Sequence, residues 1–232
     1  DHWVSCFSIS MASAVPPLVS ASWLRSSLST VRVIDASWYL PSMNRNGKSE
    51  YLASRIPSSC FFDIDDTDDV STLPHMLPSP TYFSRRMSDL GIDGSSHIVC
   101  YDGAGIFSSP RLWWMLRVYG HHRVSVLDGG MPSWLSLGAE VEKGDATPPP
   151  AARSPFVAKL QPELLCTLDQ MRTNLDTGAA AVLDARSKGR FEGTTPEPRA
   201  GLRGGHIPGS HNVPIDTVLR DGMMKAPEEL RK

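Results

Sequence analysis

The sequence predicts an α/β fold in which helices flank a parallel sheet. Short, continuous apolar runs alternate with stretches of helical periodicity, a pattern typical of strands that are buried on both faces. The 232 residues are 41% hydrophobic and 21% charged, which fits an ordinary globular protein with a real core. The strand motif Val33-Ile-Asp-Ala36 also returns 149 residues later as Val182-Leu-Asp-Ala185, so we expect the same unit twice.

The first unit is predicted from its strands and turns in chain order. After the strand at 33–36 come an Ile-Pro turn (55–59), a short strand (61–65), a helix begun by proline (80–86) and a third strand (97–101). A tight turn (102–103), a helix (111–118) and a fourth strand (124–127) follow. Ligands of such sheets bind at the carboxyl ends of the strands, so we expect the turn at Asp102-Gly-Ala-Gly105 to be the functional edge.

The second unit repeats the first part of the first unit. The turn Arg55-Ile-Pro-Ser-Ser59 corresponds to His206-Ile-Pro-Gly-Ser210, the strand after it to 212–216, and the helix at 80–86 to 227–232. The later elements have no counterpart. We therefore predict a leader (1–17), an N-terminal domain (18–142), a proline-rich linker (143–160) and an incomplete C-terminal domain (161–232).

Composition and charge exclude several classes of protein. Lys and Arg (23) nearly balance Asp and Glu (25), so we expect no surface for nucleic acid or acidic lipid. No apolar run approaches the roughly 18 residues of a membrane span. The four cysteines form no C-x-x-C pair, which argues against zinc and a disulfide framework, and Gly103-Ala-Gly105 lacks the third glycine of a dinucleotide fingerprint. We expect no metal and no cofactor.

Nine motifs carry a resemblance to a known family. They are Asp35-Ala-Ser-Trp-Tyr39, His75-Met-Leu-Pro78, Tyr101-Asp-Gly103, Arg111-Leu-Trp-Trp114, Leu127-Asp-Gly-Gly130, Asp184-Ala-Arg186, Gly189-Arg-Phe191, Pro196-Glu-Pro-Arg199 and Gly205-His-Ile-Pro-Gly-Ser210. In this order and spacing the chain resembles a two-domain rhodanese-like sulfurtransferase, with most similarity to the plant-type 3-mercaptopyruvate/thiosulfate enzymes. The resemblance implies tandem rhodanese-like domains, the second of them truncated at the C-terminus.

The resemblance implies sulfur transfer through a cysteine persulfide. In the family, a thiolate at a helix N-terminus takes sulfur from 3-mercaptopyruvate or thiosulfate and passes it to a thiophilic acceptor such as cyanide or a thiol. That cysteine lies in the second domain, and the first domain carries Asp at the matching turn, here Asp102. Asp102 lies 67 residues after Asp35, and the same distance after Asp184 falls at about position 250. We expect the nucleophilic loop to be absent from this chain and the chain as given to be inactive.

The four cysteines present are not expected to replace the nucleophile. Cys100 lies within a strand and Cys60 beside one, where cysteine packs as a small hydrophobic residue. Cys6 lies in the leader, and Cys166 lies between the linker and a helix. None of the four follows an apolar strand and precedes a glycine-rich turn into a helix.

Two arginines are assigned to substrate binding by the resemblance. Arg190 and Arg199 match the family's substrate-binding arginines, and a pair of guanidinium groups suits the carboxylate of a small 2-oxo acid. The alternative is that both are surface arginines paired with Glu192 and Glu197. Arg186 is interpreted as a structural partner for nearby carboxylates.

Asp65 and His75 match residues that reach across the domain interface toward the active site in the mercaptopyruvate branch. A carboxylate and an imidazole there orient the substrate and manage the proton of the thiol, so we assign both a supporting catalytic role. The alternative is that the acidic run 63–69 is a solvated loop. By the same resemblance, His75 and Arg199 favour 3-mercaptopyruvate over thiosulfate as the donor, because thiosulfate-preferring relatives tend to lack both.

Two hypotheses remain open from the sequence. One is a sulfurtransferase with a small-molecule sulfur donor and with thioredoxin or a small thiol as acceptor. The other is a non-catalytic, truncated rhodanese-like module for binding or regulation. The first ten residues lack Arg and Lys, unlike Arg-rich transit peptides, but the sequence begins with Asp1 rather than Met, so a longer leader stays open. Mitochondrion and cytoplasm therefore both remain open as compartments.

Overall fold

A five-stranded parallel sheet organises the first half of the chain. The computed structural model describes residues 15–69, 73, 75–147, 151–198 and 201–231. The strands are β1 (Leu18–Val19), β2 (Arg32–Asp35), β3 (Cys60–Phe61), β4 (Ile98–Tyr101) and β5 (Val124–Leu127). They lie in the order β1-β5-β4-β2-β3, and every neighbouring pair is parallel. The predicted α/β fold is confirmed.

Helices cover both faces of this sheet. They are α1 (Ala21–Ser27), α2 (Gly47–Ala53), α3 (Pro80–Asp89), α4 (Ser109–Val118) and α5 (Gly130–Ser136), with a 3-10 turn at Pro41–Met43. Ser20, Asn46 and Ser79 begin α1, α2 and α3 by accepting a hydrogen bond from a backbone amide of the first turn. Since strand side chains alternate between faces, Ile34 packs in the cluster that holds α3 and α4, whereas Val33 packs in the cluster that holds α1 and α5.

The second half of the chain forms smaller elements. They are α6 (Leu168–Thr177), β6 (Leu183–Asp184), α7 (Lys188–Glu192), β7 (His211–Asn212), α8 (Ile215–Val218), β8 (Leu219–Arg220), β9 (Met223–Met224) and α9 (Pro227–Leu230), after a 3-10 turn at Pro162–Leu164. Strands β6 and β7 pair in parallel, and β8 and β9 form an antiparallel hairpin.

The internal repeat is visible in the strand register. Ile34 and Asp35 face Cys60 and Phe61 across β2 and β3, and the matching residues Leu183 and Asp184 face His211 and Asn212 across β6 and β7. The turn after the strand also repeats. Asp35 Oδ1 accepts the amide of Ser37 at 2.8 Å, and Asp184 Oδ1 accepts the amide of Arg186 at 2.9 Å. The second unit therefore reproduces the strand pair and Asp turn of the first.

Segments that the sequence assigns to the leader and the linker bond to the first sheet region. The carbonyl of Pro17 accepts the amide of Val126, so the chain already joins the sheet before β1. Arg55, buried, donates to the carbonyls of Gly144 and Asp145, and Phe156 is 3% exposed in the core. No helix among the described residues is long and apolar enough to cross a membrane.

The hairpin β8–β9 lies against the carboxyl edge of the first sheet. The amide of Ile106 donates to the carbonyl of Gly222 at 2.9 Å, and the amide of Met224 donates to Asp128 Oδ1 at 2.9 Å. Gly105 and Gly222 approach so closely that a Cβ on Gly105 would lie 2.7 Å from the carbonyl oxygen of Gly222. This contact joins the second unit to the turn that follows β4.

Candidate functional site

The turn after β4 is an anion cradle filled by its own carboxylate. Asp102 is fully buried. Its Oδ2 accepts the amides of Phe107, Ser108 and Ser109 at 2.9–3.0 Å and the Ser109 hydroxyl at 2.7 Å, and its Oδ1 accepts the amide of Ala104 at 2.9 Å. Several amides converge here because the loop turns directly into the N-terminus of α4. The negative charge that this cradle stabilises belongs to Asp102, and no thiol occupies the position.

Asp35, at the end of β2, also lies at this edge of the sheet. Its carboxyl is 3% exposed, and burial raises its pKa to about 6 despite the hydrogen bonds from Ser37, with the charge of Asp102 adding to the rise. The edge therefore holds two neighbouring carboxyl groups: Asp102, which is held by amides and the Ser109 hydroxyl, and Asp35, whose pKa is raised.

The structure brings the predicted pair Asp65 and His75 together. His75 Nδ1 hydrogen-bonds Asp65 Oδ1, and both side chains are about one-third exposed. The ring of Trp38 meets the imidazole edge-on at 4.8 Å, and His75 itself adopts a left-handed backbone with φ of 60°. The amide of Trp38 donates to Ser108 Oγ at 3.0 Å, which links this pair to the Asp102 turn.

Arg111 is a member of this cluster that sequence reasoning did not assign to the site. Its Nη2 donates to the carbonyl of His75, and its guanidinium stacks on Trp114 at 4.7 Å. Its Nε is buried without a hydrogen-bond partner among the described residues, and burial lowers its pKa although Asp65 opposes the shift. A charged residue within the otherwise apolar 111–116 stretch is the signal that was available for it.

The rest of the acidic run is held by specific partners. Asp66 bonds the hydroxyl of Tyr82 and pairs with Arg86 at 2.5 Å, and Asp68 accepts the amide and hydroxyl of Ser79. Among the described residues no group of three or more His, Cys, Asp or Glu side chains is arranged to hold a metal ion. The run therefore anchors the start of α3 and presents Asp65 to His75.

Arg190, on α7, is bound to Glu197. Its Nε and Nη2 donate to Glu197 Oε2 at 3.0 and 2.6 Å, while Arg186 Nη1 donates to Oε1 at 2.9 Å. The Glu197 side chain is 5% exposed, and Arg190 holds its pKa below the usual range. The pairing that the sequence left as the alternative for Arg190 is thus present. Arg199, the second predicted arginine, lies outside the described residues.

Arg186 and His206 brace the surrounding loop. Arg186 also forms an ion pair with Asp184 at 2.6 Å and donates to the carbonyl of Gly205 at 2.7 Å. His206 Nδ1 lies 2.8 Å from the carbonyl oxygen of Phe191, and its ring stacks on that residue with centroids 3.8 Å apart. These contacts give the Arg190 loop a fixed shape.

The described cysteines differ in their capacity to ionise. Burial raises the pKa of Cys60 to about 12 and that of Cys100 well above its usual value, which makes both poor nucleophiles. Cys166 is exposed just before α6, with its Sγ 3.7 Å from the carbonyl oxygen of Thr167. Cys6 lies outside the described residues. None of the three described cysteines lies in a cradle like that of Asp102.

Comparison with known proteins gives a consistent result. Residues 20–137 match the model of the rhodanese-like domain. The chain is 44% identical over 248 residues to thiosulfate/3-mercaptopyruvate sulfurtransferase 1, mitochondrial, of Arabidopsis thaliana. This match covers 97% of this chain and 65% of the Arabidopsis protein. The chain is 44% identical over 225 residues to 3-mercaptopyruvate sulfurtransferase of Rattus norvegicus, with 93% and 75% covered.

A solved structure agrees with these relatives. The crystal structure of SseA from Escherichia coli, described as a 3-mercaptopyruvate sulfotransferase with the "Rhodanese" fold, superposes with a TM-score of 0.83 at 36% identity. The superposition covers 94% of this chain and 82% of that one. The similarity therefore extends through both units and across the hairpin that joins them.

Proposed function

Since this chain belongs to the rhodanese-like sulfurtransferase family, we propose that it serves the transfer of sulfur from 3-mercaptopyruvate, or thiosulfate, to a thiophilic acceptor such as cyanide or a thiol. The observation that carries the proposal is the amide cradle around Asp102. Five donors converge on one buried anion at a strand-to-helix turn, and the β6–β7 pair supports the same plan for the second unit. With cysteine in that turn, the cradle would stabilise a thiolate and then a persulfide.

The reaction places one thiolate against the donor sulfur. The attacking sulfur forms an S–S bond as the donor's C–S bond breaks, and the pyruvate carbanion takes a proton at its methylene carbon. The persulfide then gives its outer sulfur to the acceptor and returns as a thiolate. Repeat spacing puts this cysteine at about position 250, outside the 232 residues.

Asp65 and His75 supply proton control in this scheme. Asp65 Oδ1 hydrogen-bonds His75 Nδ1, and in this proposal that contact orients the imidazole toward the substrate. The imidazole would then take the thiol proton of 3-mercaptopyruvate and return it to the pyruvate carbanion. Thiosulfate has no such proton at neutral pH, so this pair favours 3-mercaptopyruvate.

Arg190 and Arg199 are proposed to bind the donor's carboxylate. Arg190 is held by Glu197 through Nε and Nη2, which orients its guanidinium plane before a substrate arrives. The remaining donor atom, Nη1, makes no hydrogen bond among the described residues and is our choice for the substrate contact. The ion pair with Glu197 and substrate binding are therefore compatible.

The 232-residue chain is proposed to be inactive by itself, and the test measures thiocyanate formed from 3-mercaptopyruvate and cyanide. The rat 3-mercaptopyruvate sulfurtransferase serves as the positive control. We expect no turnover from the 232-residue protein, because Cys60 and Cys100 are held protonated and Cys166 has no cradle. Turnover by this chain would contradict the missing nucleophile, and Cys100→Ser would then be tested first.

A chimera separates the sulfurtransferase from a purely binding module. The segment of the rat enzyme that follows its matched region is joined after Lys232, and we expect turnover to appear. Within the chimera, Arg190→Gln should raise the KM for 3-mercaptopyruvate about tenfold, the effect of one charge-assisted hydrogen bond. Arg172→Gln, an exposed arginine with one weak ion pair, is the matched control. A folded chimera without turnover would favour the non-catalytic module.

The natural acceptor and the compartment are further parts of the proposal. Thioredoxin or a small thiol is the acceptor class that suits a persulfide. One thiol takes the outer sulfur as a new persulfide, and a second thiol then attacks that persulfide, which forms a disulfide and releases the sulfur as sulfide. The mitochondrial name of the Arabidopsis relative supports a mitochondrial location, with the cytoplasm as the alternative.

A further inference from the structure

A row of basic residues lies at the edge of the sheet opposite the Asp102 turn. Arg32 is the first residue of β2, His97 directly precedes β4, and Arg123 directly precedes β5. The amide of Arg32 donates to the carbonyl of His97 at 2.8 Å, and the amide of Ile98 donates to that of Arg123 at 2.9 Å. Because neighbouring strands lie about 4.8 Å apart, the three residues form a continuous row.

A cavity of about 420 Å³ opens over this row. Arg32, His97 and Arg123 line it, and Arg153 joins them from the segment that follows the first sheet region. The rest of the wall comes from 28–31, 33, 57–58, 93 and 95–96, which include four serines and one threonine. The volume falls within the range of small-molecule pockets, which is about 300–1,000 Å³.

Arg32, Arg123 and Arg153 form no salt bridge within the part of the chain that the structure describes. Arg123 Nε is also buried there without a hydrogen-bond partner. The lining carboxylate, Asp93, already accepts hydrogen bonds at Oδ1 from Ser95 and Ser96. Like charges that share a cavity repel each other, so an anion placed among them would be stabilised by all three.

A second observation supports a positive potential at this edge. The pKa of His97 is lowered, first by burial and then by the charge of Arg123, and its Nε2 lies 3.0 Å from Ser125 Oγ. A neutral imidazole at pH 7 leaves the cavity with three positive groups and Asp93. The net charge of the lining is therefore positive, in a chain whose overall formal charge is -2.

We propose that this cavity binds a small anion with at least two negative charges, held by Arg32, Arg123 and Arg153. Guanidinium groups bind phosphate and carboxylate oxygens through paired N–H donors, and the hydroxyls of Ser29 and Ser58 on the wall suit the remaining oxygens. The cavity exceeds one phosphate ion in size, which favours a pyrophosphate-sized or polycarboxylate ligand. The site lies at the amino ends of the strands, so it is separate from the sulfur-transfer edge.

Isothermal titration calorimetry on the 232-residue protein tests this site at low ionic strength. Pyrophosphate and citrate are titrated separately, which distinguishes phosphate from carboxylate chemistry, and binding of either ligand supports the proposal. Arg153→Gln, an exposed position, should weaken binding about tenfold, and Arg32→Gln combined with Arg123→Gln should abolish it. Raising the salt concentration should weaken binding further, because the Debye length is about 10 Å at 0.1 M.

Matched controls make the result decisive. Arg85→Gln combined with Arg172→Gln removes the same charge from α3 and α6, outside the lining, and should leave the affinity unchanged. Circular dichroism confirms that each variant is folded, and Arg153→Gln gives the answer if the double variant unfolds. Absence of binding by both anions, or equal weakening in the control variant, would overturn the proposal.

Discussion

The two copies of the repeat share a strand pair but differ in burial. Ile34 in β2 is 0% exposed, whereas its counterpart Leu183 in β6 is 67% exposed. In the first copy β2 lies between β3 and β4, and α3 and α4 cover it, whereas among the described residues β6 pairs only with β7. Phe156 is the last buried hydrophobic residue of the described chain. Each copy thus forms its strand pair locally. The buried core around β2 depends in addition on β4, α3 and α4, which follow the strand pair in the first copy.

The equivalent carboxyl groups of the two copies show the same difference in electrostatics. Burial raises the pKa of Asp35, while the hydrogen bonds from Arg186 lower the pKa of Asp184. The position two residues after each Asp carries Ser37 in the first copy and Arg186 in the second. One turn geometry therefore serves a buried carboxyl in one copy and an ion-paired carboxylate in the other.

The largest effect should come from truncating the matched strand residues. We expect Ile34→Ala to lower the free energy of unfolding by about 2–5 kcal/mol, because it leaves a cavity in a close-packed cluster. Leu183→Ala should change it by less than about 0.5 kcal/mol, since the side chain is mostly in solvent. Urea unfolding followed by far-UV circular dichroism measures both, because the helices of both copies contribute to that signal whereas the last tryptophan is Trp134. Similar losses of unfolding free energy in the two variants would show that β6 is buried in solution. That result would contradict the difference in burial between the two copies.

The next effect concerns the Asp102 cradle. Asp102→Asn keeps the shape of the side chain but removes the charge and sets an NH₂ group against amide donors. We expect a loss of about 2–3 kcal/mol in unfolding free energy, the order expected for hydrogen bonds to a charged group. The same measurement on Asp128→Asn is the control, because Asp128 accepts an amide from the hairpin rather than filling a cradle. Equal stability of Asp102→Asn and the parent would argue against the cradle as an anion site.

The sequence predicts the parts of this comparison that depend on local pattern. The α/β class, the repeat at Asp35 and Asp184 and the turn at Asp102 follow from apolar runs and spacing. Strand β1 was missed, because two residues in a stretch rich in Ser, Ala and Pro become a strand through pairing with β5. The role of Arg111 was missed because it depends on packing between α4 and the loop that carries His75.

The convergence of Arg32, Arg123 and Arg153 was equally hidden in the sequence. Arg32 and Arg123 lie near each other because β2 and β5 both pair with β4, and Arg153 reaches the same cavity from the segment after the sheet. Neither the order of strands nor this approach can be derived from local periodicity. The pair Asp65–His75 was predicted through family resemblance rather than from physical pattern. Non-local packing is therefore what the sequence alone did not supply.

The smallest effect is the pH dependence that distinguishes Asp35 from Asp184. The folded pKa of Asp35 is about 6, above its ordinary value of 3.8, so between these values the native state binds more protons than the unfolded state. Stability from this group therefore rises as the pH falls from about 6 to about 4. Asp35→Asn removes the cost of the buried charge and keeps an acceptor for the Ser37 amide. At pH 7 it should stabilise the protein by about 1–3 kcal/mol.

The second copy should respond with the opposite sign. The pKa of Asp184 is lowered, so its contribution is present above the unfolded pKa and is lost as the pH falls through the folded value. Asp184→Asn should therefore destabilise slightly at pH 7 and make no difference once the parent carboxylate is protonated. Urea unfolding at pH 4, 5, 6 and 7 for the parent and both variants gives the difference curves, in which other titrating groups cancel. Burial of Asp35 and ion pairing of Asp184 act on the carboxyl group in opposite directions, so the two variants should change the unfolding free energy with opposite signs. Changes of the same sign would show that the residue two positions downstream, Ser37 or Arg186, does not control the carboxyl group.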